Sequence, residues 1–570
     1  MTSWSKTGRE CEVTIVGGGV VGVSMAIALA RQGVPAAVLD RREGPDRHPR
    51  AHVCNPRTLE LFRLWGVEER VRAAGLPAAA LGSFTWRTAI AGEELGQISY
   101  AGHAEEHVSV RANATLCPEV SCAQDVVEAI LRERLFELTG NEVRYGAEVE
   151  AVSQPRPGEV EVDVAGGKDP IRSRYVIAAD GAGSRTRQRL GIGMEGPREL
   201  ARFVAMHLSV DLSPWVGDRP AVLYWVVNSR VQGVFISMDG HSRYTFHVRA
   251  DSAGMELEDP SIEECEALVR AAVGSEEVEP EIREVGHWVM SGQVARHYRA
   301  GNVFLAGDAA HRFPPTGGFG MNTGVQDAHN LAWKLAAVLD GWAPESLLES
   351  YEAERKPVAE LFCRRSVDNF LRLERIASWS PDPAPVLARL EAGGSVAVAE
   401  RRRFREEIEH QRDHFDKLAL ELGFAYPRGA LVPEGDEPIE QPDGRHPYRP
   451  EAHPGARAPL ARLTRPGGGE AWTTDLFETG FVLLADADQG WAEATGAVAS
   501  RGVPIGCLEI GRDLFDEDGE WARTYGVRAG GAVLVRPDGH VALRCSERPT
   551  NPTATLLEAF EQIRGGASTN

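Results

Sequence analysis

EVTIVGGGVVGVSMAIALARQGVPAAVLD, residues 12–40, is the stretch that decides the fold. The run EVTIV at 12–16 is short and rich in β-branched residues, which is typical of a buried parallel strand. A glycine-rich turn follows, and a helical pattern continues to about Gln32, where Gly33 ends it. Residues 36–39 predict a second strand that ends at Asp40. Strand, turn, helix and strand in this order predict an α/β fold with a parallel sheet.

The turn carries the glycine pattern G-x-G-x-x-G in its required place between a strand and a helix. Gly17 permits the tight turn, Gly19 lets the backbone approach a pyrophosphate, and Gly22 allows the helix to pack closely on the strand. The free N–H groups at the start of the helix favour an anion. Asp40 would accept hydrogen bonds from ribose hydroxyls. The stretch therefore predicts a dinucleotide site, although it does not separate NAD from FAD.

Two later segments carry related signals. Residues 175–179 (YVIAA) predict a strand that is followed by DGAGSRTR, and residues 303–306 predict a strand that leads into GDAAH. A glycine-rich loop, PPTGGFGMN at 314–322, then opens a helix. An acid at the end of a strand, such as Asp308, can bind ribityl hydroxyls. The start of the helix beyond the loop can stabilise negative charge on a reduced flavin ring, which favours FAD.

These three motifs, in this order and spacing, resemble the group A flavoprotein hydroxylases. That family includes para-hydroxybenzoate hydroxylase, phenol hydroxylase and the aromatic polyketide hydroxylases. The likeness covers about residues 10–360. It is strongest to phenol and chlorophenol hydroxylases, in RAHVCNPRTLELF at 50–62 and GDAAHRFPPTGGFGMNTGVQDAHNLAWKL at 307–335. The resemblance implies a flavoprotein monooxygenase that acts on an aromatic ring.

The resemblance also implies which residues bind FAD. The ADP part would be held at the first motif, the Asp-Gly motif would touch FAD and the transient NADPH, the ribityl chain would meet an acid, and the isoalloxazine would lie on the last glycine loop. In that order the residues are Gly17, Gly19, Gly22 and Asp40, then Asp180 and Gly181, then Asp308, then Gly320, Met321 and Asn322, with Gln124, Arg50, Arg41 and Pro314 completing the predicted set.

The expected architecture has three parts. A Rossmann-like FAD-binding domain of the glutathione-reductase type is predicted from 1–78, 117–189 and 294–400. Short alternating strands at 222–227, 234–238 and 244–248 predict a substrate-binding sheet domain over 79–116 and 190–293. A βαβ-then-hairpin order near the end resembles the thioredoxin-like domain of phenol hydroxylases, predicted with its connector over 423–568. Cys507 and Cys545 form no C-x-x-C motif, so this domain is expected to be structural or dimerising.

Catalysis in the family starts with reduction of FAD by NADPH or NADH. Dioxygen then forms a flavin C4a-hydroperoxide, which an electron-rich ring attacks. A phenolate is a better donor than a phenol, so a general base near neutral pKa is useful, and histidine is the natural candidate. His52 stands where phenol hydroxylase carries a catalytic Asp, and His247 roughly matches a tyrosine of that enzyme. Alternatively, His247 is an ordinary side chain on the face of a strand.

Aromatic residues are plentiful in the predicted substrate segments, where they form either a pocket wall over the flavin or simply the core of the sheet. They are Phe84, Trp86, Tyr100, Tyr224, Trp225, Phe235, Phe246 and Trp288.

The bulk composition excludes several function classes. A net charge of −21 argues against a nucleic-acid partner and against docking on anionic lipid. The eight cysteines are dispersed, and no Cys/His cluster has metal spacing, so no metal is expected. No stretch approaches the ~20 apolar residues of a membrane span, and residues 1–10 lack the apolar core of a signal peptide. We expect a cytoplasmic protein, as a homodimer, whose partner is a small aromatic substrate.

Two alternatives stay open. A Baeyer–Villiger oxygenase or an antibiotic-inactivating monooxygenase would share these motifs, and a non-catalytic flavoprotein would keep FAD without turnover. The sequence does not identify the substrate, which could be a secondary-metabolite phenol or a simple catabolic phenol.

Overall fold

The fold is given by a computed structural model of the chain. It describes residues 10–46, 48–77, 83–99, 111, 113–217, 219–252, 255–435, 439–444 and 446–565. Three main sheets organise these residues, and the predicted fold class is confirmed. Each helix in these ranges is too short or too polar to cross a membrane.

The first sheet has seven strands and is parallel at its centre. Glu10–Val16 pairs in parallel with Ala36–Leu39 on one side and with Ile171–Ala178 on the other, and Val303–Leu305 continues the parallel set. These short apolar runs are buried, as parallel strands covered on both faces require. The antiparallel strands of this sheet are Val149–Arg156, Glu159–Val164 and Arg299–Ala300.

Helices cover this sheet and bring the predicted motifs together. Val20–Arg31 starts directly after the first glycine turn and packs against Gly320–Leu339 and Gln124–Thr139. Gly320–Leu339 is buried along nearly its whole length. Glu349–Glu374 is the longest helix and also contacts it. The helix that follows the third motif therefore lies beside the helix that follows the first motif.

The second sheet also has seven strands and alternates in the way that a two-sided sheet does. One face, with Met206, Phe235 and Phe246, packs towards the helix Ile262–Val273, and the opposite face carries His247 and Trp288. The three strands predicted for this region are present. In spatial order the strands are Glu281–Met290, Ala201–Ser209, Arg243–Arg249, Gln232–Ser237, Leu223–Val227, Ser83–Arg87 and Glu94–Ser99.

The third sheet has four strands and shows the predicted βαβ-then-hairpin order. Its spatial order is Ile505–Ile510, Phe481–Asp486, Ala532–Val535 and Val541–Cys545, with the first pair parallel. Cys507 and Cys545 lie on the two opposite edges, roughly 14 Å apart at three strand spacings. The two thiols therefore cannot form a redox pair within this sheet. The helices around it are Trp491–Ala499, Glu520–Tyr525 and Pro552–Gly565.

Smaller elements complete the described chain. The remaining α-helices are Pro56–Leu64, Glu68–Ala74, Arg185–Arg189, Ser213–Val216, Ala384–Glu391, Gly394–Glu409, Arg412–Phe415 and Leu418–Gly423. Single turns of 3₁₀-helix occur at Gly307–Ala309, Glu345–Leu348 and Thr473–Asp475. The small sheets pair Val53–Cys54 with Val120–Ser121, Asp251–Ser252 with Met255–Glu256, and Arg462–Arg465 with Gly469–Trp472, and join Met194–Glu195, Gln293–Ala295 and His311–Arg312.

A buried charge cluster joins the third sheet to the helices of the first. Arg536 donates to the two carboxylate oxygens of Glu354 at 2.9 and 2.7 Å, and Lys334 Nζ donates to Glu354 Oε2 at 2.7 Å. All three side chains are fully buried. Burial disfavours the charge on Glu354, but Arg536 and Lys334 outweigh it and lower its pKa to about 2. The buried Asp538 also pairs with Arg536, so two carboxylates neutralise two cations, and Glu354 is the carboxylate that contacts both cations.

We expect Glu354→Gln to lower the free energy of unfolding by about 3–5 kcal/mol, because the buried Lys334 loses its counter-charge and the buried Arg536 is left with Asp538 alone. Chemical denaturation at neutral pH measures the change. Glu349→Gln, on an exposed position of the same helix, is the matched control and should change stability by less than about 0.5 kcal/mol. A loss below about 1 kcal/mol in Glu354→Gln would show that the cluster is not needed to hold the sheets together.

Candidate functional site

A large cavity of about 1220 Å³ is lined by residues of the first and second sheets. It exceeds the usual size of a small-molecule pocket, so it has room for a dinucleotide and a second ligand. Most of the predicted site residues lie on its wall, whereas Gly22 and Asn322 lie behind it. The predicted residues on the wall are Gly17, Gly19, Asp40, Arg41, Arg50, His52, Gln124, Asp180, Gly181, His247, Asp308, Pro314, Gly320 and Met321.

The first glycine turn has the shape that a pyrophosphate site requires. Gly17 has a φ of 110°, and a Cβ there would lie 2.2 Å from the carbonyl oxygen of Ala179. At Gly22 a Cβ would lie 1.9 Å from the carbonyl oxygen of Gly17. Gly19 caps the helix Val20–Arg31 and lies on the cavity wall, where a Cβ would make only an ordinary contact, with Glu128 Oε2 at 3.8 Å. The turn therefore presents the start of a helix to the cavity, which fits the pyrophosphate of FAD.

Asp40 is held in place and kept ionised. Its carboxylate accepts hydrogen bonds from the Gly18 N–H at 2.7 Å and from the Arg42 N–H and guanidinium at 2.8–3.1 Å. Burial would raise the pKa of Asp40, but these hydrogen bonds outweigh burial and lower it. The sequence reasoning missed Arg42, although an arginine two residues after the acid was visible. Arg41 is exposed on the cavity wall.

The Asp-Gly motif is rigid and linked to the third motif. The Asp180 carboxylate accepts hydrogen bonds from the Ser184 hydroxyl and from the Thr186 N–H. Ser184 in turn caps the helix Arg185–Arg189. Arg187 donates to the Ala309 carbonyl at 3.0 Å. Because Ala309 follows Asp308, the two acids on the wall are held in one frame.

Asp308 opens to the cavity although protein surrounds it, and this burial raises the pKa of Asp308. The buried Asp327 fixes its turn from below. The Asp327 carboxylate accepts from the Gly307 N–H at 3.1 Å, lies 2.7 Å from His311 Nε2, and accepts from Arg355 Nε at 2.8 Å. A helix residue that the sequence reasoning assigned no role therefore positions the third motif.

Asn322 is not among the residues that line the cavity, and its predicted place beside the isoalloxazine stays a prediction. Its side-chain oxygen accepts from the Asn55 N–H at 3.0 Å, and its amide donates to the carbonyls of Val53 and Gly318 at 2.9 and 2.7 Å. A buried amide with three partners braces the glycine loop from behind. The backbone of the neighbouring Gly320 reaches the wall.

Gln124 and Arg50 flank the segment that leads to His52. Gln124 Oε1 accepts from the Ala51 N–H at 3.2 Å, so it fixes the backbone next to the histidine. Arg50 has a side chain that is 69% exposed and pairs with Asp46 at 3.0 Å. The structure thus supports a bracing contact for Gln124 and leaves Arg50 at the open side of the cavity.

The two histidines predicted for catalysis both lie on the wall and are neutral near pH 7. His52 Nδ1 is 2.9 Å from Ser121 Oγ, and His247 Nε2 is 3.2 Å from Thr245 Oγ1. Burial lowers the pKa of His52 to about 4 and that of His247 to about 3. The sequence led us to expect a base of near-neutral pKa. The low values mean that either imidazole can accept a proton only briefly.

Aromatic side chains line the other part of the cavity. Of the predicted set, Phe84, Trp225 and Trp288 lie on the wall. Two further rings were not among the aromatic residues predicted for the pocket: Phe415 stacks on Phe84 at 4.0 Å, and Trp379 meets Trp225 edge-on at 4.8 Å. Off the wall, among buried core residues, are Trp86, Tyr224, Phe235 and Phe246, and Tyr100 lies outside the described residues.

Trp379 holds a strained backbone at this wall. Its φ of 61° is left-handed, which costs a residue with a Cβ roughly 1–2 kcal/mol. Contacts with Trp225 and with Phe203 at 4.6 Å offset this cost. Strain of this kind is concentrated at ligand sites, and here it turns an indole onto the cavity.

Among the described residues, one group of three could offer metal ligands: His48, His207 and Glu284, with ligand atoms within 4.8 Å of one another. However, Arg243 Nε donates to His207 Nε2 at 3.1 Å. A metal-bound imidazole needs a proton on its other nitrogen, so it could not also accept from Arg243. The prediction that the protein holds no metal stays a prediction.

We expect Gly22→Ala to abolish FAD binding, because the added methyl would collide with the Gly17 carbonyl and push the helix away from the turn. The purified variant should be colourless, and flavin titration should show at least a 100-fold weaker affinity, about 2.7 kcal/mol. Gly44→Ala, where a Cβ meets nothing within 4 Å, should bind FAD normally. Normal FAD content in Gly22→Ala would exclude this turn as the pyrophosphate site.

The free energy of unfolding should fall as the pH decreases below 6.5. In this range the unfolded chain protonates its histidines, whereas a buried histidine stays neutral in the folded protein until the pH reaches its lower folded-state pKa. His414 is a clear case: burial lowers its pKa from 6.5 to about 3. Between these two pKa values, His414 should lower the free energy of unfolding by about 1.4 kcal/mol for each unit that the pH falls. His414→Gln should reduce the slope of the free energy of unfolding against pH by that amount. Denaturation of the FAD-loaded protein at several pH values measures the slopes. The control His410→Gln, exposed on the same segment, should keep the slope of the unaltered protein, and equal slopes in both variants would contradict the assignment.

Comparison with known proteins agrees with this geometry. The model of the FAD binding domain family matches residues 10–366, and the model of the C-terminal region of aromatic-ring hydroxylases matches residues 451–567. A putative polyketide hydroxylase of Streptomyces halstedii is 36% identical, with 96% of each chain covered. A 4-methyl-5-nitrocatechol 5-monooxygenase of a Burkholderia species is 35% identical, with 97% of each covered.

Solved structures give the same answer. The flavin-dependent monooxygenase PieE, solved in complex with FAD and substrate, superposes with a TM-score of 0.88 at 31% identity, covering 97% of this chain and 99% of that one. Family match, overall identity and fold all point the same way. The chain therefore belongs to the FAD-dependent aromatic hydroxylases and is a flavoprotein monooxygenase.

Proposed function

We propose that this monooxygenase uses NAD(P)H and dioxygen to hydroxylate a phenolic ring. The observation that carries the proposal is that one cavity joins the three dinucleotide motifs to an aromatic compartment containing a neutral histidine. One relative is named as a hydroxylase of a polyketide and another as a monooxygenase of a nitrocatechol, which is a phenol. The proposed route is the one that the family resemblance implies: NADPH or NADH reduces FAD, and oxygen from dioxygen is then transferred to the electron-rich ring.

The residues present fit FAD. Gly17 and Gly19 would receive the pyrophosphate, Asp40 the adenosine ribose, Asp308 the ribityl chain, and Gly320 the ring. Bound FAD would supply the redox chemistry, taking two electrons from NAD(P)H and activating dioxygen. The roles of these residues rest on their position on one wall and on the open backbone at the turn.

In this proposal His52 would receive the phenolic proton. When Nδ1 donates to Ser121 Oγ, Nε2 is left as an acceptor for a substrate hydroxyl. Because the imidazole is neutral, it does not have to lose a proton first. A phenolate is a stronger electron donor than a phenol, so this transfer would speed attack on the activated oxygen. His247 lies across the same cavity and could orient the ring.

The aromatic wall would serve two further purposes. Indole and phenyl faces from Phe84, Trp225 and Phe415 offer flat surfaces on which an aromatic substrate can stack. The same apolar surface keeps water away from the reacting oxygen, which would otherwise be lost as hydrogen peroxide.

We expect the FAD-loaded protein to oxidise NADPH faster when a suitable phenol is added, with little peroxide released. Absorbance of NADPH, measured against a panel of simple phenols and hydroxylated polycyclic aromatics together with a peroxide assay, tests this. If each phenol of the panel leaves the slow basal rate unchanged, the phenol proposal is wrong. Stimulation by a ketone that carries no phenol would instead identify the Baeyer–Villiger alternative.

His52→Ala should lower hydroxylation by about 10²–10⁴-fold while FAD stays bound, since only the proton acceptor is lost. Product formation and flavin content are measured on the same sample. His241→Ala, on an exposed turn of the second sheet, is the control and should keep full activity. Unchanged turnover and coupling in His52→Ala would remove His52 from the mechanism.

A further inference from the structure

Glu128 presents an unpaired carboxylate oxygen at the cavity wall. It lies on the helix Gln124–Thr139, and its side chain is only 2% exposed. Its Oε1 accepts a hydrogen bond from Arg132 Nη1 at 3.0 Å. In the described part of the chain, Oε2 accepts no hydrogen bond, although Glu128 lines the cavity. The fold therefore keeps a buried acceptor at the wall without a donor, which is costly unless a ligand supplies one.

The position of this oxygen is fixed from two sides. Arg132 Nη1, which holds Oε1, also donates to the Tyr145 hydroxyl at 3.2 Å, so the cation is itself anchored. On the other side, a Cβ at Gly19 would lie 3.8 Å from Glu128 Oε2. Gly19 begins the helix at the first glycine turn, where the pyrophosphate of FAD is proposed to bind. The free oxygen therefore lies next to the place of the pyrophosphate.

Asp40, the predicted acceptor for the adenosine ribose, has little capacity left. Its two oxygens accept four hydrogen bonds, one from the Gly18 N–H and three from the N–H and guanidinium of Arg42. A carboxylate has about four lone-pair sites. A ribose hydroxyl can therefore bond to Asp40 only if it replaces one of these donors. A second acceptor close by would bind the ribose without that loss.

The chemistry of FAD indicates which of its groups could donate to Glu128. The pyrophosphate oxygens are ionised near neutral pH and only accept hydrogen bonds. The nearest donors are the hydroxyls of the adenosine ribose on one side of the pyrophosphate and those of the ribityl chain on the other. Arg42 bonds to Asp40 and lies 4.0 Å from Glu128 Oε1, whereas the acid predicted for the ribityl chain, Asp308, belongs to another motif. The adenosine ribose is therefore the group that fits.

The electrostatics of Glu128 agree with a missing donor. Burial raises its pKa more than Arg42 and Arg132 lower it, and the nearby Asp46 and Asp40 add to the increase. A buried carboxylate in this position lacks hydrogen bonds that would stabilise its charge. A ribose hydroxyl would supply one of them without bringing a further charge.

We propose that Glu128 is a second acceptor for the adenosine ribose of FAD, beside Asp40. The inference rests on the placement of FAD in the proposed function, but not on the identity of the aromatic substrate. The hydroxyl keeps its proton and donates to Oε2, so no covalent bond changes. Glu128 would touch the cofactor and not the substrate, so it is a binding residue for FAD.

The test uses nucleotides that differ only in the ribose. FAD is removed from the full-length chain, and recovery of the flavin spectrum on adding FAD shows that the fold is kept. ADP, 2′-deoxy-ADP and 3′-deoxy-ADP then compete with FAD for the site. For the unaltered protein, ADP should bind at least about 10-fold more tightly than one or both deoxy nucleotides, the effect of one hydrogen bond to a charged group.

Glu128→Ala should weaken ADP binding by about 10-fold and bring the ratio for one deoxy nucleotide to about one, because the hydroxyl that this analogue lacks has lost its acceptor. Glu128→Gln keeps a carbonyl oxygen and should retain part of that ratio. Glu133→Ala, on the same helix with a side chain that is 66% exposed, should leave both ratios unchanged.

Three results would overturn the proposal. Glu128→Ala could weaken ADP and both deoxy nucleotides equally, which would assign Glu128 to the pyrophosphate or to the fold alone. The unaltered protein could bind all three nucleotides equally, a result that needs no variant. Finally, ADP could fail to compete with FAD, in which case the placement of FAD at the first glycine turn is wrong and the role of Glu128 fails with it. Phenol-stimulated NADPH oxidation tests the aromatic substrate separately, so the two failures are distinguishable.

Discussion

The buried Asp327 carboxylate is the constraint on which the cofactor half of the molecule depends. It lies on the helix Gly320–Leu339 and contacts the turn that carries Asp308, the short strand His311–Arg312 and the long helix Glu349–Glu374. Burial would raise its pKa, but His311 and Arg355 outweigh burial and lower it. A permanent negative charge in the interior therefore fixes the distance between the glycine loop and the acid that faces the cavity. Removing Arg355 would take away the guanidinium that compensates this buried charge, which proteins rarely tolerate.

A second buried carboxylate, Glu354, acts in the same way and lies on the long helix next to Arg355. It holds Arg536 of the third sheet and Lys334 of the cofactor half. Since Glu354 and Arg355 are neighbours in the chain, one turn of helix carries both anchoring contacts. The third sheet is therefore fastened to the frame of the flavin site by charge as well as by apolar packing, although its own cysteines are too far apart for redox chemistry.

Much of this arrangement could be predicted because local sequence rules apply to it. The glycine turn, the acids at strand ends and the helix starts depend on backbone geometry. A few consecutive residues specify this geometry, as around Gly17 and Asp308. The order of strands and helices in the third sheet could be predicted from the sequence for the same reason. The roles of the individual site residues, a cytoplasmic location and a homodimer stay predictions.

What the sequence could not supply are contacts between distant segments. Trp379, Phe415 and Lys417 reach the cavity from residues 379–417, for which the sequence predicted no contact with the site, and no local pattern marks them. The low pKa of His52 was also out of reach, because it depends on burial among groups up to about 365 residues away in the chain, a separation set by Lys417. Arg42 and Asn322 form a third group: they were visible, but their bonding partners decide what they do.

The separation of the cavity wall along the chain has a consequence for biosynthesis. All residues predicted to hold FAD have been synthesised once the ribosome has passed position 322. The rings and charges at 379–417 that close the substrate side are synthesised later. Chains fold from the N-terminal side as they are made. A nascent chain would thus possess a flavin cradle before it possesses the shield around it. A flavin captured at that point would be open to solvent and oxygen, so cofactor loading during translation would carry a risk that loading after release avoids.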